Sequence, residues 1–222
     1  MIRALAIAAA LVASTALAET PLSDGIAAEG LLSDRDFFRL VTCGAPPGGA
    51  CRGSALVWDK PVLTIAIVPG SDPVPAGFAA RLAAAVDHAI PQINATGAGI
   101  RLSRTDQPDP DIAIMPTALA EGTVMTEVPG FSAPGTMGVG YMTIWSDDAD
   151  KITAAVILIS TTITDEDLTS VMLEEVTQSL GPLYDIENPA YEGVSILSQT
   201  SNATTTIAGQ DAALLRWLYP PR

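Results

Sequence analysis

Residues 173–181 read Leu-Glu-Glu-Val-Thr-Gln-Ser-Leu-Gly, and this stretch decides the fold. When it is placed on a helix at about 100° per residue, the apolar side chains around it fall on one broad arc. The side chains on this arc are Val171, Met172, Leu173, Val176 and Leu180. Gly181 and Pro182 follow, which is a typical helix end. The pattern predicts a helix that packs against a core.

Three polar residues of this helix stand out because of their angular positions. Glu175 lies inside the apolar arc, Gln178 lies at its edge, and Glu174 lies just beyond it. A buried carboxylate costs free energy unless it is paired, hydrogen-bonded or protonated. We therefore expect Glu175 to bind the turn near Ser195 or nearby backbone N–H groups and to support the fold. On this hypothesis Glu175→Ala destabilises the protein, whereas Glu174→Ala has little effect.

The same stretch resembles the active-site helix of zinc metallopeptidases, whose pattern is H-E-x-x-H-x-x-G-x-x-H/D. When the glycines are aligned, the metal-ligand positions hold Glu174, Gln178 and Tyr184, and Asp185 is next to the last of them. The position of the general base still holds a glutamate, Glu175. No histidine occupies any of these positions, so the resemblance concerns the scaffold more than the chemistry.

A wider resemblance rests on three segments. Residues 174–181 are followed by Ser-Ile-Leu at 195–197, and a segment at 211–221 carries Asp, Leu-Leu, Leu-Tyr and Pro. Together they resemble an exported bacterial family of unknown function, domain-of-unknown-function family 2927, over roughly residues 36–222. The resemblance implies a metzincin-like α+β fold, a mixed sheet with packed helices, and no established activity.

The resemblance also implies roles for residues outside the helix. Ser195, Ile196 and Leu197 look like the methionine turn that lies beneath the metal in metzincins, with Leu197 in place of methionine. Asp211 looks like part of the terminal helix of those enzymes. This segment is therefore expected to pack under the helix that carries the motif.

The chemistry of the ligand positions separates two hypotheses of function. Zinc enzymes rely on neutral imidazoles, and an amide oxygen such as that of Gln178 is a poor zinc ligand. A set made of Glu174, Gln178 and Asp185 offers oxygen alone and suits a harder divalent cation. We expect no zinc, and a catalytically inactive binding or envelope-associated protein. The alternative is a metal-dependent hydrolase or peptidase with a histidine-free site, in which Glu175 is the catalytic candidate.

His88 is the one histidine of the chain. On the helical wheel it lies away from the apolar face of its own helix, so we expect it to be exposed to solvent. One imidazole cannot form a histidine-based metal site.

The first 18 residues have the features of a secretory signal peptide. Arg3 provides the basic start, residues 4–13 form a short apolar run, and Ala-Leu-Ala at 16–18 suits cleavage after Ala18. The run is too short to cross a bilayer. The sequence therefore predicts a periplasmic or secreted bacterial protein with no membrane span in the mature chain.

The cysteines and the net charge indicate the compartment of the protein and the partners that it does not bind. The chain has 2 cysteines, Cys43 and Cys51, and an even number in an exported protein favours a disulfide. The net charge of −14 argues against nucleic acid as a partner. The sequence points to no partner more specific than another envelope protein.

The remaining pattern predicts the order of the elements. Residues 19–60 form an N-terminal segment with one short helix and the cysteine loop, and residues 61–222 form the metzincin-like α+β domain. Strands are expected at 62–68, 100–102, 111–115, 140–145 and 154–159, and helices near 34–41, 75–95 and 210–218. Pro91 is expected to kink the second of these helices or to end it early.

Overall fold

A computed structural model describes residues 25–70, 72–125 and 135–221 of the chain. The signal peptide predicted at residues 1–18 lies outside the described residues. The α-helices of the described part are α1 (Asp34–Cys43), α2 (Phe78–Asn94), α3 (Leu168–Gln178) and α4 (Gly209–Leu218). Its longer strands are β3 (Val62–Ile67), β4 (Arg101–Arg104), β5 (Ile112–Thr117), β8 (Gly140–Ser146) and β9 (Lys151–Ser160). Its two-residue strands are β1 (Ile26–Ala27), β2 (Val57–Trp58), β6 (Val124–Met125), β7 (Gly135–Thr136) and β10 (Ile186–Glu187).

The main sheet has six strands, in the order β2-β9-β5-β3-β4, with β8 also paired to β9. All pairs are parallel except β8 with β9, which is antiparallel. The central strands read as β-branched, apolar runs because they are covered on both faces. Two small sheets lie apart from it, a parallel pair of β1 with β10 and an antiparallel pair of β6 with β7.

Helix α3 packs against α2, β8 and β9, whereas α1 packs against α4. Nine of the eleven residues of α3 are buried, including Glu175, Thr177 and Gln178. The helix is therefore enclosed on most of its surface, which explains why its polar side chains need partners inside the protein. Thr177 is bonded within the helix, since its hydroxyl donates to the carbonyl of Leu173 at 2.7 Å.

The α+β class predicted from the sequence is confirmed, and the five longer strands form where they were expected. One detail differs, because α2 continues through Pro91 and ends at Asn94. Pro91 is exposed and lies in the last turn, and Asp87, whose carbonyl it leaves without an N–H partner, is also exposed.

The predicted disulfide between Cys43 and Cys51 is also confirmed, with their Cα atoms 5.0 Å apart. Cys43 is the last residue of α1, and Gly44 after it adopts φ 70°, the left-handed conformation that ends many helices. No helix in the described ranges combines the length and the apolar character that a membrane crossing requires.

Candidate functional site

Two of the residues predicted as metal candidates form a buried hydrogen-bonded pair. Gln178 on α3 donates from its amide nitrogen Nε2 to Oδ1 of Asp185 at 2.8 Å. The two residues are 6% and 4% exposed, so the bond is shielded from water. Asp185 is anchored by its backbone as well, because its carbonyl accepts from the N–H of Ile26 at 2.9 Å. The structure thus brings two of the three metal candidates together.

The third metal candidate, Glu174, precedes Gln178 by one helical turn and is half-buried. Residues four positions apart lie on the same side of a helix, so Glu174 faces the same way as the Gln178–Asp185 pair. The arrangement places two carboxylates and one carboxamide on a single side of α3 and its C-terminal turn.

Glu175 lies elsewhere, against the first residue of the antiparallel edge strand. A Cβ atom built on Gly140 of β8 would overlap Oε1 of Glu175 and would come within 2.8 Å of Cγ1 of Val171. Glu175 is 8% exposed. The glycine therefore makes room for the carboxylate, and β8 is the element that covers it. Ser195, which we expected to be its partner, is bonded to another carboxylate.

The turn at 195–197 is tied to α4 by Asp211. The hydroxyl of Ser195 donates to Oδ1 of Asp211 at 2.7 Å, and the N–H of Ile196 donates to Oδ2 at 2.9 Å. The N–H of Leu197 closes the turn by donating to the Ser195 hydroxyl at 3.1 Å. Burial raises the pKa of Asp211 to about 6, although both hydrogen bonds act in the opposite direction.

Tyr184, the remaining ligand position, is held by α1 and the disulfide loop. Its N–H donates to the carbonyl of Val41 at 3.1 Å. Its ring lies against Gly44, and the guanidinium of Arg52 is 5.9 Å from the ring centre, within the range of a cation–π contact. These contacts give Tyr184 a packing role.

The C-terminal end of α3 is held by two aromatic side chains to which the sequence pattern gave no role at this site. The indole N–H of Trp58 donates to the carbonyl of Ser179 at 2.8 Å, and the hydroxyl of Tyr219 donates to the carbonyl of Leu180 at 2.6 Å. They satisfy carbonyls that a helix end leaves open. Trp58 is 121 residues from Ser179 in the sequence, and Tyr219 is 39 residues from Leu180. Local sequence patterns could therefore not reveal these two bonds.

Comparison with known proteins places the chain in a family. The family model described as "Protein of unknown function (DUF2927)" matches residues 58–222. The chain belongs to the DUF2927 family. Among solved structures, one of myroilysin is similar, with 13% sequence identity, 75% of this chain and 96% of that chain covered, and a TM-score of 0.39. No curated protein sequence matches.

This DUF2927 member has a donor set that does not fit zinc. The Gln178 amide uses an N–H toward Asp185, and Tyr184 is packed by Gly44 and Arg52. The one imidazole, on His88, belongs to α2, where Nε2 is 2.7 Å from the carbonyl of Thr205. His88 is half-buried, so the expectation that it is exposed was wrong; the loop before α4 covers it.

The described ranges contain no group of three or more histidine, cysteine, aspartate or glutamate side chains positioned to hold a metal ion. Of the metal candidates, Gln178 and Asp185 are joined directly, by the hydrogen bond from the amide to the carboxylate.

Proposed function

We propose that this protein is an exported, catalytically inactive binding protein built on a metzincin-like scaffold. The observation that carries the proposal is the buried hydrogen bond between Gln178 and Asp185. In a zinc hydrolase the corresponding side chains direct lone pairs at one metal ion, which then activates water. Here the amide N–H and the carboxylate satisfy each other, which stabilises the site without a metal.

Export is supported by the disulfide between Cys43 and Cys51, since such bonds persist in oxidising compartments such as the periplasm. The predicted cleavage after Ala18 is consistent with the same compartment. The partner that we propose for this acidic, exported domain is another envelope protein. The charge of −14 disfavours nucleic acid.

Metal content and hydrolysis test the proposal together. The purified protein, equilibrated with zinc and then dialysed without chelator, is expected to hold far less than one zinc per chain by elemental analysis. It is also expected to show no cleavage of a fluorescent casein above a blank, with or without zinc. Gln178→Ala and Glu175→Gln serve as the site variants, and Arg101→Gln on the exposed side of β4 serves as the control.

One zinc per chain that Gln178→Ala removes, together with cleavage that Glu175→Gln abolishes, would overturn the proposal. The histidine-free hydrolase has a different signature. Stoichiometric calcium, magnesium or manganese, lost in Asp185→Asn and accompanied by hydrolysis that depends on Glu175, would establish that alternative.

A further inference from the structure

A cleft of about 310 Å³ lies between α1 and α4, and its lining residues are not those of the Gln178–Asp185 site. It is lined by Arg35, Phe38 and Arg39 of α1 and by Trp217 of α4. Two aromatic rings and two guanidinium groups therefore meet at one place on the surface. Neither the motif nor the family resemblance gave these residues a role.

The aromatic part of the cleft offers a flat apolar surface to a ligand. The rings of Phe38 and Trp217 have centroids 5.4 Å apart and are inclined by 33°. Phe38 is half-buried and packs against the core, whereas Trp217 is 53% exposed. An exposed tryptophan held by a buried neighbour is a rigid platform, and such side chains contribute strongly when they bind a partner.

The charged part of the cleft comes from one side of α1. Arg35 and Arg39 are four residues apart and so share one side of α1, and both line the cleft together with Phe38. In the described part of the chain neither guanidinium forms an ion pair with a carboxylate. Arg39 donates through Nη2 to the carbonyl of Gly49 at 2.8 Å, which positions it and leaves its other N–H groups for a ligand.

The acidic residues at the start of α1 have partners of their own. Oδ2 of Asp36 accepts from the Ser33 hydroxyl at 2.8 Å, and Oδ1 of Asp34 accepts from Nε2 of Gln210 at 2.8 Å. These carboxylates are held by neutral donors, and in the described part of the chain neither forms an ion pair with Arg35 or Arg39.

We propose that this cleft binds a small apolar monocarboxylate, with its carboxylate on Arg35 and Arg39 and its apolar body on Phe38 and Trp217. A guanidinium matches a carboxylate with two parallel N–H···O bonds, and it cannot lose its charge. The cleft volume is at the lower end of ligand sites in proteins, which suits a molecule of two fused rings. The acidic surface around it repels polyanions, so a single charge is favoured.

This inference is independent of the proposed function. It concerns α1 and α4, and it holds whether the residues on α3 are inactive or catalytic. Its test uses neither metal nor hydrolysis, so failure of one proposal leaves the other intact.

The probe is naphthoate, an apolar monocarboxylate, and the matched neutral probe is naphthamide. Each is titrated into the purified protein while the indole N–H signals of Trp58, Trp145 and Trp217 are followed by NMR. Naphthoate is expected to shift the Trp217 signal in a saturable way and to bind about tenfold more tightly than naphthamide, since charge-assisted bonds are stronger than neutral ones.

Variants assign the binding to the cleft. Trp217→Ala and Arg35→Gln are each expected to weaken naphthoate binding by about tenfold or more, and Arg35→Gln should leave naphthamide unchanged. Arg101→Gln removes one positive charge elsewhere and should leave both probes unchanged. Equal binding of the two probes, a shift at Trp58 or Trp145 in place of Trp217, or the same loss in Arg101→Gln would overturn the proposal.

Discussion

Two regions of this protein bury a carboxylate beside the same structural motif, and they differ in what the carboxylate holds. Asp211 is 1% exposed and accepts hydrogen bonds from the Ser195 hydroxyl and the Ile196 N–H, so it joins α4 to the turn at 195–197. Asp185 is 4% exposed and accepts from the side-chain amide of Gln178, so it joins α3 to the segment that follows it.

The two carboxylates therefore have different roles: Asp211 orders a backbone turn, whereas Asp185 bonds to a side chain of the motif. The Asp211 junction orders a backbone turn, a task that needs no metal. Gln178 occupies a position of the motif that holds an imidazole in zinc enzymes, and its amide N–H donates to Asp185. One buried carboxylate thus joins the turn at 195–197 to α4, and the other joins α3 to the segment that follows it.

The largest expected effect is the loss of the Asp211 junction. Asp211→Ala leaves the buried Ser195 hydroxyl and Ile196 N–H without their acceptor, and each such loss costs about 1–3 kcal/mol. At pH 5 we expect the free energy of unfolding to fall by about 3 kcal/mol, measured by urea denaturation. Asp211→Asn keeps an acceptor and should lose less. Equal stability of wild type and Asp211→Ala would show that this junction has no mechanical role.

The pH dependence of stability is the next effect, and its sign follows from the raised pKa. Burial raises the pKa of Asp211 from 3.8 to about 6, so between these values the folded protein retains a proton that the unfolded chain has lost. This contribution to stability is fully present below pH 3.8 and is lost as the pH rises through about 6.

The pH-dependent contribution of Asp211 to the free energy of unfolding is up to about 3 kcal/mol, at about 1.4 kcal/mol per pKa unit. The measurement compares urea denaturation of wild type and Asp211→Asn from pH 4 to pH 7, because the other titrating groups cancel in the difference. A difference that stays constant over this range, or that grows in favour of wild type, contradicts the assignment.

The sequence predicted much of this architecture because its signals are local and periodic. Helix α3 and the five longer strands follow from apolar patterns, and the sequence also grouped Gln178 with Asp185. The two-residue strands β1, β2 and β10 carry no periodicity, so they could not be found. The contact of Glu175 with Gly140 depends on how β8 packs against α3. The two residues are 35 positions apart, so local patterns do not predict this tertiary contact.

The contact between Glu175 and Gly140 provides a third test, of intermediate size. Gly140→Ala introduces a Cβ that collides with Oε1 of Glu175 and with Val171, so we expect a loss of about 1–3 kcal/mol. Glu175→Ala should relieve part of the collision, and the double variant should be more stable than the sum of the single changes by about 1 kcal/mol.

Thermal and urea unfolding of the four proteins in this cycle give the coupling. Gly53→Ala is the matched control, because a Cβ at Gly53 meets nothing within 4 Å. Strict additivity in the cycle would mean that β8 moves away from Glu175 without cost. A Gly53→Ala loss as large as that of Gly140→Ala would mean that the effect does not come from the contact with Glu175.

The smallest effects distinguish the residues on the ligand side of α3. Gln178→Ala removes a donor from a carboxylate that is 4% exposed, so we expect a loss of about 1–2 kcal/mol. Glu174→Ala changes a half-buried side chain one turn earlier, and we expect a change within about 0.5 kcal/mol. Both are measured by urea denaturation at pH 7.

If Glu174→Ala destabilised the protein more than Gln178→Ala, Glu174 would be the residue on which this side of the helix depends. The Gln178–Asp185 bond would then be too weak to explain how the site is stable without a metal. The comparison between this bond and the Asp211 junction would no longer hold, because only the Asp211 junction would stabilise the fold.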